Sequence, residues 1–205
     1  MILSFAISPR RYRDNTIKGV HLTMKKYCFT DETMEVDGHI LHRIKALIDI
    51  PLAEIRVGDL GGWIEKEENL SQQDHAWVHS EAQVYGDARV CDRALVYGYA
   101  RVYNHARICG DAWVYGNATI YDDAVVSGRA LVSGDARIYG SARVYRYAVI
   151  FGNALIYDSA QVFGNARVYG NARIHGFAGV CGHALVYGNA QVSKSRRVCD
   201  ETLFM

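Results

Sequence analysis

The chain has 205 residues, a formal net charge of +1 and 50% hydrophobic residues. Such a near-neutral balance argues against bulk electrostatic attraction to nucleic acid. No apolar run approaches the roughly 20 residues of a membrane-spanning helix, and we expect no membrane partner. Five cysteines, an odd number scattered along the chain, fit a reducing compartment, so a cytoplasmic location is expected.

Residues 1–23 show no hydrophobic period and are predicted to form a flexible N-terminal extension. The apolar start has no basic residue before it, which argues against a signal peptide. Arg10, Arg11, Arg13 and Lys18 would alternatively make a basic arm. A further alternative is that Met24 is the natural start.

Residues 24–70 are predicted to form a small β-hairpin cap. Asp37-Gly38 is typical of a tight hairpin turn, and residues 40–50 alternate in part, as in a long strand. Residues 60–64 indicate a turn followed by an aromatic anchor, Trp63. Because the open strands at the end of a repeat stack invite aggregation, we expect this segment to cover the first coil.

Residues 71–193 are built on a strict period of six. Alanine occurs at every sixth position from Ala76 to Ala190, and Val or Ile follows two residues after each one, in twenty repeats out of twenty. Ala and Val/Ile therefore point to one side of a short strand. The fifth position of each repeat is Gly in thirteen cases and Asp or Asn in four, which predicts a bend.

This period predicts an all-β solenoid, because a fixed repeat in sequence means a fixed repeat in space. Three hexads would close a triangular coil of 18 residues, so the twenty hexads give about 6 to 7 coils around a core of Ala and Val/Ile. Residues 194–205 are expected to be a C-terminal cap or tail. The charged run Lys194 to Arg197 would end the stack.

Residues eighteen apart should share a face of this prism. On the first face the outward positions are apolar in six of seven coils, which monomers rarely expose. We predict an interface between subunits at these six residues: Trp77, Leu95, Trp113, Leu131, Val149 and Leu185. The alternative is that the N-terminal segment or the C-terminal tail lies along this face.

The second face carries arginines beside a column of tyrosines. Guanidinium groups and aromatic rings are suited to phosphate, nucleotide or sugar ligands. The candidate ligand-binding residues are Arg101, Arg137, Arg173, Tyr103 and Tyr139. Alternatively, tyrosine is simply a good strand residue stacked in register, and the arginines provide solubility.

Catalytic and metal-binding patterns are weak. His79 and His175 are the candidate catalytic residues, but no two histidines share a face on neighbouring coils, and no metal site is predicted. Cys91 and Cys109 should be neighbours on adjacent coils of the third face, at a backbone spacing of about 4.8 Å that does not forbid a disulfide bridge. We interpret them instead as small apolar side chains in a column that also accepts Ser127.

The junction residues 60–64 and 69–72, followed by Ala76-Trp77-Val78 and the hexads, resemble a family of bacteria and prophages. Its members are hexapeptide-repeat, acyltransferase-like proteins, also labelled polymer-forming cytoskeletal proteins. The resemblance implies a left-handed parallel β-helix, a homotrimer and, in the enzymes, a histidine base near a subunit interface.

Three functions stay open at this point. The first is an oligomeric structural module that binds partners or ligands and needs no cofactor. The second is an acyltransferase that uses acetyl-CoA or another acyl-CoA. The third is a phage accessory protein that binds a small anionic, nucleotide-like ligand between subunits. The unbroken hexads contain no projecting loop in which a dedicated catalytic site would be built.

Overall fold

The computed structural model describes residues 24–205, and the extension predicted for residues 1–23 lies outside this range. The N-terminal part begins with strands β1 (Tyr27–Val36) and β2 (His39–Ala46), which pair antiparallel. A short 3-10 helix (Pro51–Ala53), strand β3 (Leu60–Ile64) and a second 3-10 helix (Glu67–Asn69) follow. Within the described residues, no helix is long and apolar enough to cross a membrane.

The rest of the described chain is a succession of very short strands. In chain order they are β4 (Trp77–Val78), β5 (Gln83–Val84), β6 (Arg89–Val90), β7 (Leu95–Val96), β8 (Arg101–Val102), β9 (Arg107–Ile108), β10 (Trp113–Val114), β11 (Thr119–Ile120), β12 (Val125–Val126), β13 (Leu131–Val132), β14 (Arg137–Ile138), β15 (Arg143–Val144), β16 (Val149–Ile150), β17 (Leu155–Ile156), β18 (Gln161–Val162), β19 (Arg167–Val168), β20 (Arg173–Ile174), β21 (Gly179–Cys181), β22 (Leu185–Tyr187), β23 (Gln191–Val192), β24 (Arg197–Cys199) and β25 (Thr202–Phe204).

These strands stack into three parallel sheets. Sheet 1 contains eight strands, which are every third strand from β4 to β25, and sheet 3 contains seven, which are every third strand from β6 to β24. Sheet 2 contains ten strands: every third strand from β5 to β23, then β3, which pairs with β5 in parallel, and finally β2 and β1, which pair antiparallel. Within the hexad repeats each strand pairs with the strand eighteen residues away, as Trp113 does with Leu95 and Leu131. The predicted all-β solenoid is confirmed, whereas its left-handed winding stays a prediction.

The inward residues form one continuous core. The alanine and the Val or Ile of all twenty hexads are at most 2% exposed. The corner that follows each strand has a left-handed backbone at every repeat, with φ between 51° and 75°. Glycine suits this corner for a second reason, which is the lack of space for a side chain. A Cβ on Gly128 would lie 2.7 Å from the backbone nitrogen of Arg146 on the next rung, where a rung is one coil of the stack.

The turn predicted at Asp37-Gly38 is present, with φ of 52° and 83°. The turn predicted at residues 60–64 is wrong, since this segment is strand β3, which pairs with β2 and, in parallel, with β5. Its glycines permit close packing, because a Cβ on Gly61 would lie 2.6 Å from Ile44 Cγ1 and 2.7 Å from the carbonyl oxygen of Val78.

Polar contacts fasten the cap to the first rung. The buried Lys26 ammonium donates to the carbonyl oxygens of Asp74 (2.9 Å) and Ala76 (2.7 Å), and the Tyr27 hydroxyl donates to that of Leu70 (2.9 Å). The buried Asn69 amide donates to the carbonyl oxygen of Ala88 on the next rung (2.8 Å). Ile64 and Leu70 are buried and pair in parallel with Val84 and Val90 of the first hexads. The solenoid therefore starts earlier in the chain than the hexad pattern does.

The solenoid also ends later than predicted. Arg197–Cys199 pairs with Gly179–Cys181, and Thr202–Phe204 pairs with Leu185–Tyr187. Val198 continues the buried column, and Lys194 takes the corner conformation with φ of 59°. The prediction that residues 194–197 end the stack is wrong, because their charged side chains point outward from an intact corner and strand. Together the two ends bring the solenoid to about eight turns.

We expect Ala136→Leu to destabilise the protein by about 1–3 kcal/mol, because Ala136 is fully buried and the extra methylenes overpack the core. For a chain of this length that lowers the Tm by about 2–4 °C per kcal/mol, measured by calorimetry. The matched control is Arg137→Ala on the exposed side of the same strand, with a change below about 0.5 kcal/mol. An equal loss of stability in the two variants would contradict the placement of Ala136 in the core and of Arg137 on the surface.

Candidate functional site

The outer surface of sheet 1 is the apolar surface that the sequence predicted. Trp113 is 44% exposed, and its column neighbours Leu95, Leu131, Val149 and Leu185 are half-buried. Phe151, one position after the core residue, adds to the same surface. Leu95, Trp113, Leu131 and Val149 form an apolar strip because parallel pairing in register places each one over the next, and Arg167 separates this strip from Leu185.

Trp77, the first member of this column, must be removed from the predicted interface. Its side chain is 0% exposed, and its ring packs edge-to-face on Tyr27 of the cap, with centroids 6.3 Å apart. The cap covers the first rung and therefore buries the outward residue of β4. The alternative that the N-terminal segment lies along this face is thus realised at one rung.

A loop of the cap makes a cleft on this surface. Ile50 and Ile55 are buried and pair with each other through backbone hydrogen bonds of 2.9 Å and 3.2 Å, so the residues between them form a tight projection. At its tip Leu52 is 60% exposed. Two adjoining hollows share Leu52, Leu95 and Trp113 as lining residues, with volumes of about 300 Å³ and 460 Å³.

The smaller hollow contains His79, one of the two candidate catalytic residues, together with Glu54, Ser80 and Tyr97. Burial lowers the pKa of His79 below its ordinary value of 6.5, and the nearby Glu54 carboxylate opposes this shift. Burial therefore favours the uncharged form of the imidazole. In residues 24–205 no hydrogen bond joins its ring to Ser80 or Glu54, so the geometry does not form a catalytic triad.

The larger hollow has a charged rim. Arg93 donates to the Asp111 carboxylate at 2.9 Å, and Arg129 Nε lies 3.5 Å from the same carboxylate. Two guanidinium groups thus share one carboxylate, which leaves the rim with a net positive charge. The cleft can accept an apolar group with an anionic group beside it.

His175 lies elsewhere, on sheet 2. Its ring stacks on Tyr157 with centroids 4.9 Å apart, and its Nδ1 is 3.8 Å from the Asp158 carboxylate. The two candidate histidines therefore lie on different sheets and do not form one site.

Arg101, a predicted ligand-binding residue, is engaged within the chain. Its guanidinium forms an ion pair with the Asp37 carboxylate at the tip of the β1–β2 hairpin and contacts the Tyr85 hydroxyl, which itself donates to Asp37 at 2.8 Å. The hydrogen bond from Tyr85 and the Arg101 charge lower the pKa of Asp37. Arg101 holds the cap hairpin against sheet 2.

The tyrosine column forms a stacked ladder. The rings of Tyr85, Tyr103, Tyr121, Tyr139, Tyr157 and His175 follow one another at centroid distances of 4.9–5.1 Å, within 8° of parallel. Tyr103 and Tyr139 have a ring on both faces, so only their edges are open to a ligand. Arg137 and Arg173 are separated by Leu155 and lie about 10 Å apart, at two strand spacings of roughly 4.8 Å. This arrangement favours the alternative of a packed, solubilised surface.

Comparison with known families agrees with this architecture. A family model described as the YdcK beta solenoid repeat matches four segments of the chain, residues 88–104, 112–128, 130–146 and 160–176. Each segment is nearly one coil long, and all four lie within the stacked hexads. This chain is a β-solenoid repeat protein. No curated protein matches its sequence.

Two elements of the cleft carry no sequence signal that points to a site. Leu52 and Glu54 lie in a stretch without a period, and only the tertiary structure brings them to sheet 1, beside residues about 25 to 60 positions later. Asp37 belongs to a predicted turn, but its pairing with Arg101 depends on where the hairpin docks.

The tyrosine ladder predicts loss of stability at alkaline pH. Burial raises the pKa of Tyr121 to about 12 and also raises the pKa of Tyr103 and Tyr139, whereas an unfolded tyrosine ionises near pH 10. Above pH 10 the unfolded state therefore binds fewer protons than the folded state, and the free energy of unfolding falls as the pH rises toward 12.

Urea unfolding at pH 9–12 measures this decline. Tyr121→Phe removes one of the ionising groups, so the decline between pH 10 and 12 becomes shallower in the variant. Identical pH dependence in the wild type and the variant would refute this contribution of Tyr121.

Proposed function

We propose that this protein is a rigid binding module that assembles through the exposed apolar surface of sheet 1, first of all with its own copies as a homotrimer. The observation that carries the proposal is the apolar strip around Trp113, with Leu131 and Val149 along it and Leu185 beyond Arg167. Large contiguous apolar patches on soluble proteins mark interaction sites. The trimer, with parallel axes, is the assembly that the resemblance to hexapeptide-repeat proteins implies.

The construction of the strip supports a binding role. Each outward side chain stands on a strand whose backbone is hydrogen-bonded on both sides, such as Trp113 N–H to the Ala130 carbonyl at 2.9 Å. A surface held this firmly loses little conformational entropy when a partner docks. An exposed tryptophan near the middle of such a surface is typical of the residues that dominate binding energy.

The assembly is tested by light scattering after size exclusion. We expect the wild type at about 69 kDa, three times the 22.9 kDa of one chain. Trp113→Asp places a charge in the apolar surface and should shift the protein to the monomer mass. The control is Thr119→Asp, an outward residue of sheet 2 one hexad later, which should leave the trimer intact. A monomeric wild type would overturn the proposal.

A second candidate is acyl-CoA-dependent acyl transfer, with acetyl-CoA or another acyl-CoA as cosubstrate. The observation that favours it is the cleft itself: burial favours the uncharged form of His79, the form that a general base needs, and the Arg93 and Arg129 guanidinium groups are suited to phosphate groups.

We expect acetyl-CoA at millimolar concentration to raise the Tm if this second function holds, because a ligand that binds the folded state stabilises it. Arg129→Ala should reduce the shift, while Arg137→Ala on sheet 2 should not. A Tm that acetyl-CoA leaves unchanged counts against transfer and leaves the assembly proposal unaffected.

A further inference from the structure

Sheet 3 brings two thiols and a carboxylate together, away from the cleft on sheet 1. Cys91 and Cys109 occupy the same position on consecutive rungs, and their Sγ atoms lie 2.7 Å apart. Asp92 follows Cys91 at the corner. One ligand atom from each of the three side chains lies within 4.8 Å of the other two.

We propose that Cys91, Cys109 and Asp92 form a binding site for a thiophilic divalent metal ion of the zinc class. Thiolates and carboxylates are both zinc ligands, and three protein ligands leave a fourth tetrahedral position for water. Two thiolates in the set favour zinc over magnesium or calcium, which take oxygen ligands. The site needs no help from the proposed assembly, because all three ligands belong to one chain.

The backbone positions the two thiols before any ion binds. The Cys91 N–H donates to the Ile108 carbonyl and the Cys109 N–H to the Val126 carbonyl, both at 3.0 Å. The strands that carry the cysteines are therefore held at one rung spacing, which is about 4.8 Å. With Zn–S bonds of about 2.3 Å, the two sulfurs of a tetrahedral ion lie farther apart than the 2.7 Å between them here and closer together than the strand spacing. The two side chains therefore have to rotate apart to admit the ion, and the backbone spacing leaves room for this.

Asp92 is held toward the sulfurs by the next rung. Its backbone takes the left-handed corner conformation with φ of 60°, and its Oδ2 accepts a hydrogen bond from the Gly110 N–H at 2.7 Å. Hydrogen bonds of this kind orient a ligating carboxylate and tune its affinity for metal. The sequence predicts that the two cysteines are neighbours, but it does not predict that the Asp92 carboxylate lies beside them.

A second cysteine pair on the same sheet provides a comparison. Cys181 and Cys199 also lie on consecutive rungs and are joined as a disulfide. Asp200 follows Cys199, and its carboxylate accepts a hydrogen bond from the His183 N–H at 2.7 Å. The disulfide occupies both sulfurs of this pair, so Cys91 and Cys109 are the pair with free thiols.

Binding exchanges protons for the metal ion. The ion takes the place of one proton on each thiol, two protons pass to water, and the Asp92 carboxylate binds without a proton change. No redox step is involved, and binding weakens as the pH falls.

The test uses Co²⁺ as a spectroscopic substitute for Zn²⁺, in the full-length reduced protein with Cys181→Ser and Cys199→Ser introduced to remove the second pair. We expect one equivalent of Co²⁺ to produce a thiolate-to-cobalt charge-transfer band, and Zn²⁺ to abolish it. Cys91→Ser and Cys109→Ser should each remove the band, and Asp92→Asn should weaken Co²⁺ binding about tenfold or more. The control is Cys28→Ser, which removes the remaining free thiol and should leave the charge-transfer band unchanged.

Serine is tolerated in this column at Ser127, so these variants are expected to fold, which circular dichroism checks. The proposal is overturned if the reduced protein gives no charge-transfer band, or if the band survives both Cys91→Ser and Cys109→Ser. Failure of this test would leave the assembly proposal intact, since light scattering measures a different surface.

Discussion

The parallel, hydrogen-bonded pairing of each short strand with the strand one coil away is the constraint on which the rest of the structure depends. These hydrogen bonds hold each two-residue strand to its neighbours at distances near 2.9 Å, from the first rung under the cap to the strand that ends at Phe204. Strands of two residues have almost no stability alone, so each rung exists because the next one pairs with it. The alanine and the Val or Ile of every hexad fill the space between the three sheets and form one buried core.

Strict register has a consequence for the surface, because it places like side chains over like side chains. Tyrosines become a ladder, apolar residues become a strip and two cysteines become a pair of facing thiols. A repeat selected for its core thus generates extended, regular surfaces. Such surfaces suit the recognition of a large partner better than the enclosure of a small substrate, and the shallow cleft at the cap is the exception.

The cap covers the first coil, whose strand edges would otherwise be unpaired. Its contacts with the solenoid are also where the regular surface pattern is interrupted. It buries Trp77, occupies Arg101 with Asp37 and projects Leu52 over sheet 1. The sequence pattern could predict the core column and the three faces, because each depends on a period. It could not predict which members of a column the cap would cover, because that depends on how an aperiodic segment docks. For the same reason the sequence predicts a turn at Gly61, where the structure has a closely packed strand.

By itself the sequence determined the solenoid, the inward alanine and valine column, the corner positions and the division into an apolar, an arginine–tyrosine and a mixed face. A six-residue period does not fit the 3.6 residues of a helical turn, glycine at most corners would break helices, and side-chain direction follows from the strand alone. Only the tertiary structure decided where the stack begins and ends, which side chains stay exposed and which groups from distant segments meet. These outcomes depend on the docking of the cap, on the pairing of the last strands and on the turn of Asp92 toward the two sulfurs. The period encodes which residues lie over one another on successive coils, but it does not encode these contacts.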